Sequence, residues 1–334
     1  MSGRVEEILP GLKHFFYYCQ MQNPFFFKQH PLTQLLLVVF MVVVGFFVFF
    51  ILGLVSSLIM FPISISGLLE GLNFEDPNMI PVLKNLQIWQ SIGMFIVPSV
   101  FVAWFASFKP WNFLGLDGRI NIRSGIWVIL ILIVLMPFMN QLVLWNESMK
   151  LPSFLAGIEE WMKEREDMAA GLTNSFLLAD NFGSFVVNIL MIAIIPAFGE
   201  EFFFRGILQK LFGRWFKSTH LAVILASILF SALHFQFYGF FPRLILGLIF
   251  GYLFAWSGNL WYPIIAHLFN NLLPVVAFYI YGEEALDSTL DSIGTGTLNW
   301  MWVTGSILLA TIAIYQFKKL TSSNIKSTNG HENF

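Results

Sequence analysis

From Leu32 to Met60 the chain carries no charged side chain, and stretches of the same character return through most of its length. An apolar run of about 20 residues spans the hydrocarbon of a bilayer as a helix, where the backbone must satisfy its own hydrogen bonds. Composition points the same way. Of 334 residues, 57% are hydrophobic and 11% charged, whereas soluble domains carry about 25% charged residues. Mean hydropathy is +0.73. The expected fold is all-α: a polytopic transmembrane helical bundle of about eight spans.

The spans are read at residues 32–60, 86–108, 124–145, 183–199, 220–237, 240–256, 260–281 and 298–316. They divide the chain into an N-terminal interfacial segment (1–31), N-terminal membrane helices with a polar connection (32–182), a membrane core (183–281), an acidic loop with a final span (282–316) and a polar tail (317–334). In the first segment, aromatic clusters among Lys13, His14, Lys28 and His30 read as an amphipathic interfacial stretch or as anchors for the first span. Pro98 offers a kink in the second span. Ile158 to Met168, IEEWMKEREDM, is a charged helical stretch that reads as a membrane-surface helix or as a substrate gate. Gly206 to Lys217 reads as a basic connection, and the tail from Thr321 as disordered. Very short connections make spans five to seven close antiparallel neighbours.

Sidedness follows from charge. With the N-terminus cytoplasmic, most of the 18 Lys and Arg residues fall on that side, leaving Lys84, Lys150, Lys163, Arg165 and Arg243 opposite. The positive-inside rule therefore puts both termini in the cytoplasm, in a cell (inner) membrane. The single cysteine, Cys19, allows no internal disulfide and no thiolate cluster. The first 30 residues show no cleavable signal-peptide pattern. Phosphate loops and nucleic-acid signatures are absent, so the bilayer is the expected partner and nucleic acid is not.

Ionisable groups on membrane helices are costly and usually functional. At the expected end of the fourth span stand Glu200 and Glu201, followed by three phenylalanines and Arg205. Glu201 and Arg205, spaced i,i+4, share a face and can pair; Glu200 lies about 100° away, free for another role. One carboxylate as a base polarising water, the other held by Arg205, suits acid–base work. His234 lies near the far end of the fifth span, one turn after Phe230, and reads either as a structural hydrogen-bonding group or as part of the site. His267 and Asn271, again i,i+4, can offer two polar groups to one ligand. Asn270 and Asn259 are weaker candidates. Two histidines and a glutamate also raise a tertiary zinc site, although no HExxH pair lies on one helix. If all helices were straight and full-length, His234 would sit far from Glu200; the alternatives are a fifth helix that starts deeper, boundaries that slip by several residues, or a fourth span that continues through the glutamates.

The ordered set Glu200-Glu201-Phe-Phe-Phe-Arg205, Phe230-Ser-Ala-Leu-His234 and His267-Leu-Phe-Asn-Asn271 resembles the motifs of the CAAX protease and bacteriocin-processing family of intramembrane proteases, which includes the type II prenyl-protein endopeptidases. The resemblance covers roughly residues 180–281. It implies an endopeptidase in which Glu200 activates water with help from His234. Glu201 and Arg205 would support the site, and His267 and Asn271 would stabilise the oxyanion. It implies a glutamate-dependent reaction with no cofactor, zinc being the runner-up. The implied substrate is a membrane-associated peptide or protein, prenylated or not. A non-catalytic membrane regulator is the alternative class, and a solute or ion transporter lacks the expected paired repeats.

Overall fold

The computed structural model describes residues 26, 28–64, 76–179, 181–282 and 299–329. Most of the interfacial segment, Cys19, most of the acidic loop and the last five residues lie outside them. Among the described residues the elements are helical, with no β-strand: α1 (Pro31–Met60), α2 (Ile80–Ala106), α3 (Pro110–Leu114), α4 (Ile122–Glu147), α5 (Ala156–Leu177), α6 (Phe182–Phe216), α7 (Thr219–Ala232), α8 (Phe240–Ser257), α9 (Trp261–Tyr281) and α10 (Asn299–Asn329). Seven of them, namely α1, α2, α4, α6, α8, α9 and α10, are long and apolar enough to cross a membrane. The protein is an all-α polytopic bundle.

Two segments differ from expectation in ways that decide the site. The fourth span does not end at the glutamates. Helix α6 runs for 35 residues, or roughly 50 Å at 1.5 Å per residue, so Glu200 and Glu201 sit near its middle and Gly206–Phe216 is helix rather than a connection. The fifth segment is no full span: α7 has 14 residues, about 21 Å, and stops at Ala232. His234 therefore lies in a turn below the level a complete span would reach. Both changes bring His234 and Glu200 towards one depth and remove the difficulty posed by straight, full-length helices. At the C-terminus, α10 continues through Lys318 and Lys319 to Asn329, where a disordered tail was expected.

Helix α6 is interrupted by two π-helical stretches, Ile189–Ile194 and Phe202–Gln209, and α2 by one, Ile92–Ile96. The first in α6 and the one in α2 end two residues before a proline, Pro196 or Pro98, whose missing N–H and bulky ring disturb the regular i−4 ladder. Such bulges occur often at functional positions.

Packing around α6 relies on close approach. Helix α7 lies along α8, which in turn contacts α9, so these three are neighbours. The α7–α8 contact passes over Gly247 and Gly251. A Cβ on Gly247 would lie 3.0 Å from the Ser227 Cβ, and one on Gly251 2.8 Å from Val223 Cγ1. Small residues four apart let membrane helices approach closely without a hydrophobic driving force. Gly247→Val should push α7 off α8 and lower stability by about 1–3 kcal/mol, with Gly247→Ala milder. Thermal unfolding in detergent measures both; an unchanged midpoint for the valine variant would contradict this packing.

At the opposite edge, the buried Lys84 Nζ donates to Asn188 Oδ1 at 2.7 Å and to the Leu178 carbonyl at 3.3 Å, while Asn188 Nδ2 donates to the Leu177 carbonyl at 3.0 Å. This network joins α2 and the end of α5 to the start of α6. Helix α5, the charged stretch, also lies over the turn after α7. Trp161 packs on Phe237 at 5.5 Å, and the Tyr238 N–H points to Glu166.

Candidate active site

The fully buried Glu201 is the anchor. Its Oε1 accepts from Arg205 Nη1 at 2.7 Å and meets His267 Nδ1 at 2.8 Å. Arg205 Nη2 continues to the Gly247 carbonyl on α8 at 3.0 Å. The guanidinium sits among three rings, with centroids at 4.7 Å (Phe230), 5.4 Å (Phe250) and 5.9 Å (Phe204). Arginine's flat, weakly hydrated cation suits such a place, since its faces take the rings while its edges take the acceptors. One side chain thereby ties α6 to α7 and α8.

His267 projects from α9 between the two glutamates. With Nδ1 directed at Glu201, Nε2 faces the Glu200 side, 3.9 Å from its Oε2. Phe250 stacks on the ring at 5.3 Å and Phe230 meets it edge-on at 5.9 Å. The imidazole has little room to turn. On the adjacent turn, His234 Nδ1 lies 2.7 Å from the Phe230 carbonyl. A carbonyl can only accept, so Nδ1 carries the proton and Nε2 of the neutral ring is left as an acceptor.

Asn271 is held by the irregularity of α6. Pro196 cannot supply an N–H to the carbonyl of Ile192, four residues earlier, and Asn271 Nδ2 donates to that oxygen at 3.1 Å. Asn271 Oδ1 accepts from Asn270 Nδ2 at 3.1 Å. The amide is thus locked, with one of its two N–H groups committed to the backbone.

Glu200, His234, His267 and Asn271 line one cavity of about 100 Å³, with Phe230, Phe250, Asn270 and Arg243 completing its wall. It has room for several water molecules. Glu200 Oε2 is buried without a protein hydrogen-bond partner, and a buried polar atom of this kind calls for a water or a substrate group. All six residues singled out from the motifs meet here: four at the cavity and Glu201 with Arg205 directly behind. Asn259, by contrast, caps α9, its Oδ1 accepting from the Trp261 N–H at 3.0 Å. The aromatic cage of Arg205 and the Ile192 carbonyl escaped the motif reading. A cage needs three helices at once, and a backbone carbonyl has no residue type. Arg243 did carry a signal, as a charge inside an apolar span.

Among the described residues, no three His, Cys, Asp or Glu side chains converge as a metal-binding group. Residues 182–273 match the family model described as type II CAAX prenyl endopeptidase Rce1-like. Uncharacterized protein YpbD of Bacillus subtilis (strain 168) is 33% identical over 86 residues, covering 25% of this chain and 41% of that protein. The chain thus spans less than half the length of this curated relative. No solved structure matches. From the start of the glutamate helix to just beyond Asn271, this chain is thus similar to the Rce1-like type II CAAX prenyl endopeptidases.

Proposed function

We propose that this protein is an intramembrane endopeptidase that hydrolyses a peptide bond of a membrane-associated or lipidated substrate by glutamate-activated water, in the cell membrane with both termini cytoplasmic. The observation that carries the reading is Glu200 Oε2, buried without a hydrogen-bond partner in a polar cavity shared with both histidines. In this mechanism Glu200 takes a proton from the attacking water. His234 Nε2 accepts the second water hydrogen and orients the oxygen towards the scissile carbonyl. The oxyanion that forms is stabilised by the uncommitted N–H of Asn271 and by His267 Nε2 when it carries a proton. Proton transfer from Glu200 to the leaving amine completes hydrolysis, with no acyl-enzyme. Glu201 and Arg205 hold His267 in register and do not touch the substrate.

The test is cleavage of a membrane-peptide library, with prenylated and unprenylated members, by protein reconstituted in liposomes. Turnover should persist in chelator, because the proposed base is a carboxylate rather than a metal-bound hydroxide. Inhibition by chelator with rescue by zinc would replace this chemistry with the metal version. Asn271→Ala should lower kcat by about 10²-fold, the scale of losing one oxyanion donor, with KM little changed. An Asn271→Ala protein with native kcat would remove Asn271 from the reaction.

A further inference from the structure

Next to the small cavity lies a larger open chamber of about 610 Å³, within the range of ligand-binding pockets. It is walled by the end of α4, by α5, and by the start of α8 with the turn before it. Glu147, Lys163, Glu166, Asp167, Tyr238 and Pro242 face it. Arg243 lines both this chamber and the catalytic cavity, so it stands between the two.

The state of Arg243 is unusual for a cation at this depth. Its guanidinium donates from Nη1 to the Gln236 carbonyl at 3.1 Å and from Nη2 to Gln236 Oε1. Among the described residues it has no ion pair, although Glu166 and Glu200 act on it from farther away. Arg205, the other inward-facing arginine, has a carboxylate at 2.7 Å. A half-buried guanidinium held by neutral acceptors, with N–H groups left over, is a receptor for an anion. The turn is shaped to fit it. A Cβ on Gly239 would fall 2.3 Å from Arg243 Nη1, so the absence of a side chain there leaves the guanidinium its place.

We infer that Arg243 anchors a carboxylate of the substrate peptide between the chamber and the catalytic cavity. The carboxylate is either the peptide's own C-terminus or an Asp or Glu side chain. The outer chamber then holds the chain on that side of the scissile bond. Lys163 also lines the chamber, but its ammonium is already paired with Glu159 at 3.0 Å, and Glu147, Glu166 and Asp167 disfavour an anion over the rest of the wall, so the guanidinium sets the register of the peptide against Glu200. The inference rests on the proteolytic reading above.

The experiment uses the full chain in liposomes and fluorogenic peptides that the native protein cleaves. Each is made with a free C-terminus and as the C-terminal amide, and with Asp/Glu or Asn/Gln beside the cleaved bond. Native protein should favour one carboxylate-bearing form by about tenfold or more in KM, the scale of a charge-assisted hydrogen bond, and the arm that shows the preference identifies the source. Arg243→Gln should erase the preference by raising KM for the acid to that of the amide. Arg243→Lys should retain part of it, and Gly239→Ala, which displaces the guanidinium without removing it, should weaken it. The same peptides bound to the Glu200→Gln protein, followed by fluorescence anisotropy, should show the same discrimination without turnover. Equal handling of acid and neutral forms by native protein, or an equal fall in kcat for both in Arg243→Gln, would overturn the inference and make Arg243 a group acting on Glu200. Undiminished cleavage by Glu200→Gln would instead overturn the proteolytic reading.

Discussion

Glu200→Gln should abolish measurable peptide cleavage, with kcat reduced by about 10³-fold, while leaving the fold intact. The size follows from the role: removing a positioned general base typically forfeits 10²–10⁴-fold, and a neutral amide cannot take a proton from water. The preserved fold follows from the environment. Glu200 Oε2 has no protein hydrogen-bond partner, so an amide of the same shape breaks no hydrogen bond at that atom. Initial rates on a cleavable library peptide, with thermal unfolding of the same preparation, measure both halves. Native-like turnover by a folded Glu200→Gln protein would remove this residue from the chemistry, whatever the neighbouring histidines do.

Arg205→Ala is expected to cause the largest loss of stability in the molecule, about 3–5 kcal/mol, the usual result of removing one partner from a buried ion pair. The alanine strands the fully buried Glu201 carboxylate and leaves the Gly247 carbonyl without its donor. It also opens a space among Phe204, Phe230 and Phe250. Arg205→Lys should recover only part of the loss, because a point-like ammonium cannot serve Glu201 and Gly247 at once while lying flat against three rings. The double change Glu201→Gln with Arg205→Met should be more stable than Arg205→Ala alone, since it removes the unpaired charge. Unfolding measured in a bicelle or detergent series decides this; equal stability of native and Arg205→Ala proteins would mean the pair is not the tie between α6 and α8.

The two variants separate chemistry from scaffold at adjacent positions. Glu200 and Glu201 are neighbours in sequence, but about 100° of helix rotation sends one into the cavity and the other into the aromatic cage. Low activity with native stability marks the first, and low stability the second.

The membrane class, the all-α architecture and the motif residues were legible in the chain because each rests on local chemistry. Long uncharged apolar runs have no stable alternative in water, and an i,i+4 Glu–Arg pair shares a helix face wherever the helix goes. Depth and partnership were not legible. Hydropathy alone could not settle that α6 continues through two glutamates, because Glu201 is matched by Arg205 and by His267 from α9, and Arg205 in turn by the α8 carbonyl at Gly247. It could not show that α7 stops at Ala232, because the apolar pattern continues beyond that point while the backbone turns to let His234 Nδ1 meet the Phe230 carbonyl. Nor could it show that Asn271 secures the proline-disturbed turn of α6. Residue type and spacing alone determined which groups are available to a reaction in this protein. Only tertiary packing decided which of them share one cavity, because a charge buried in hydrocarbon persists where distant parts of the chain deliver its partners.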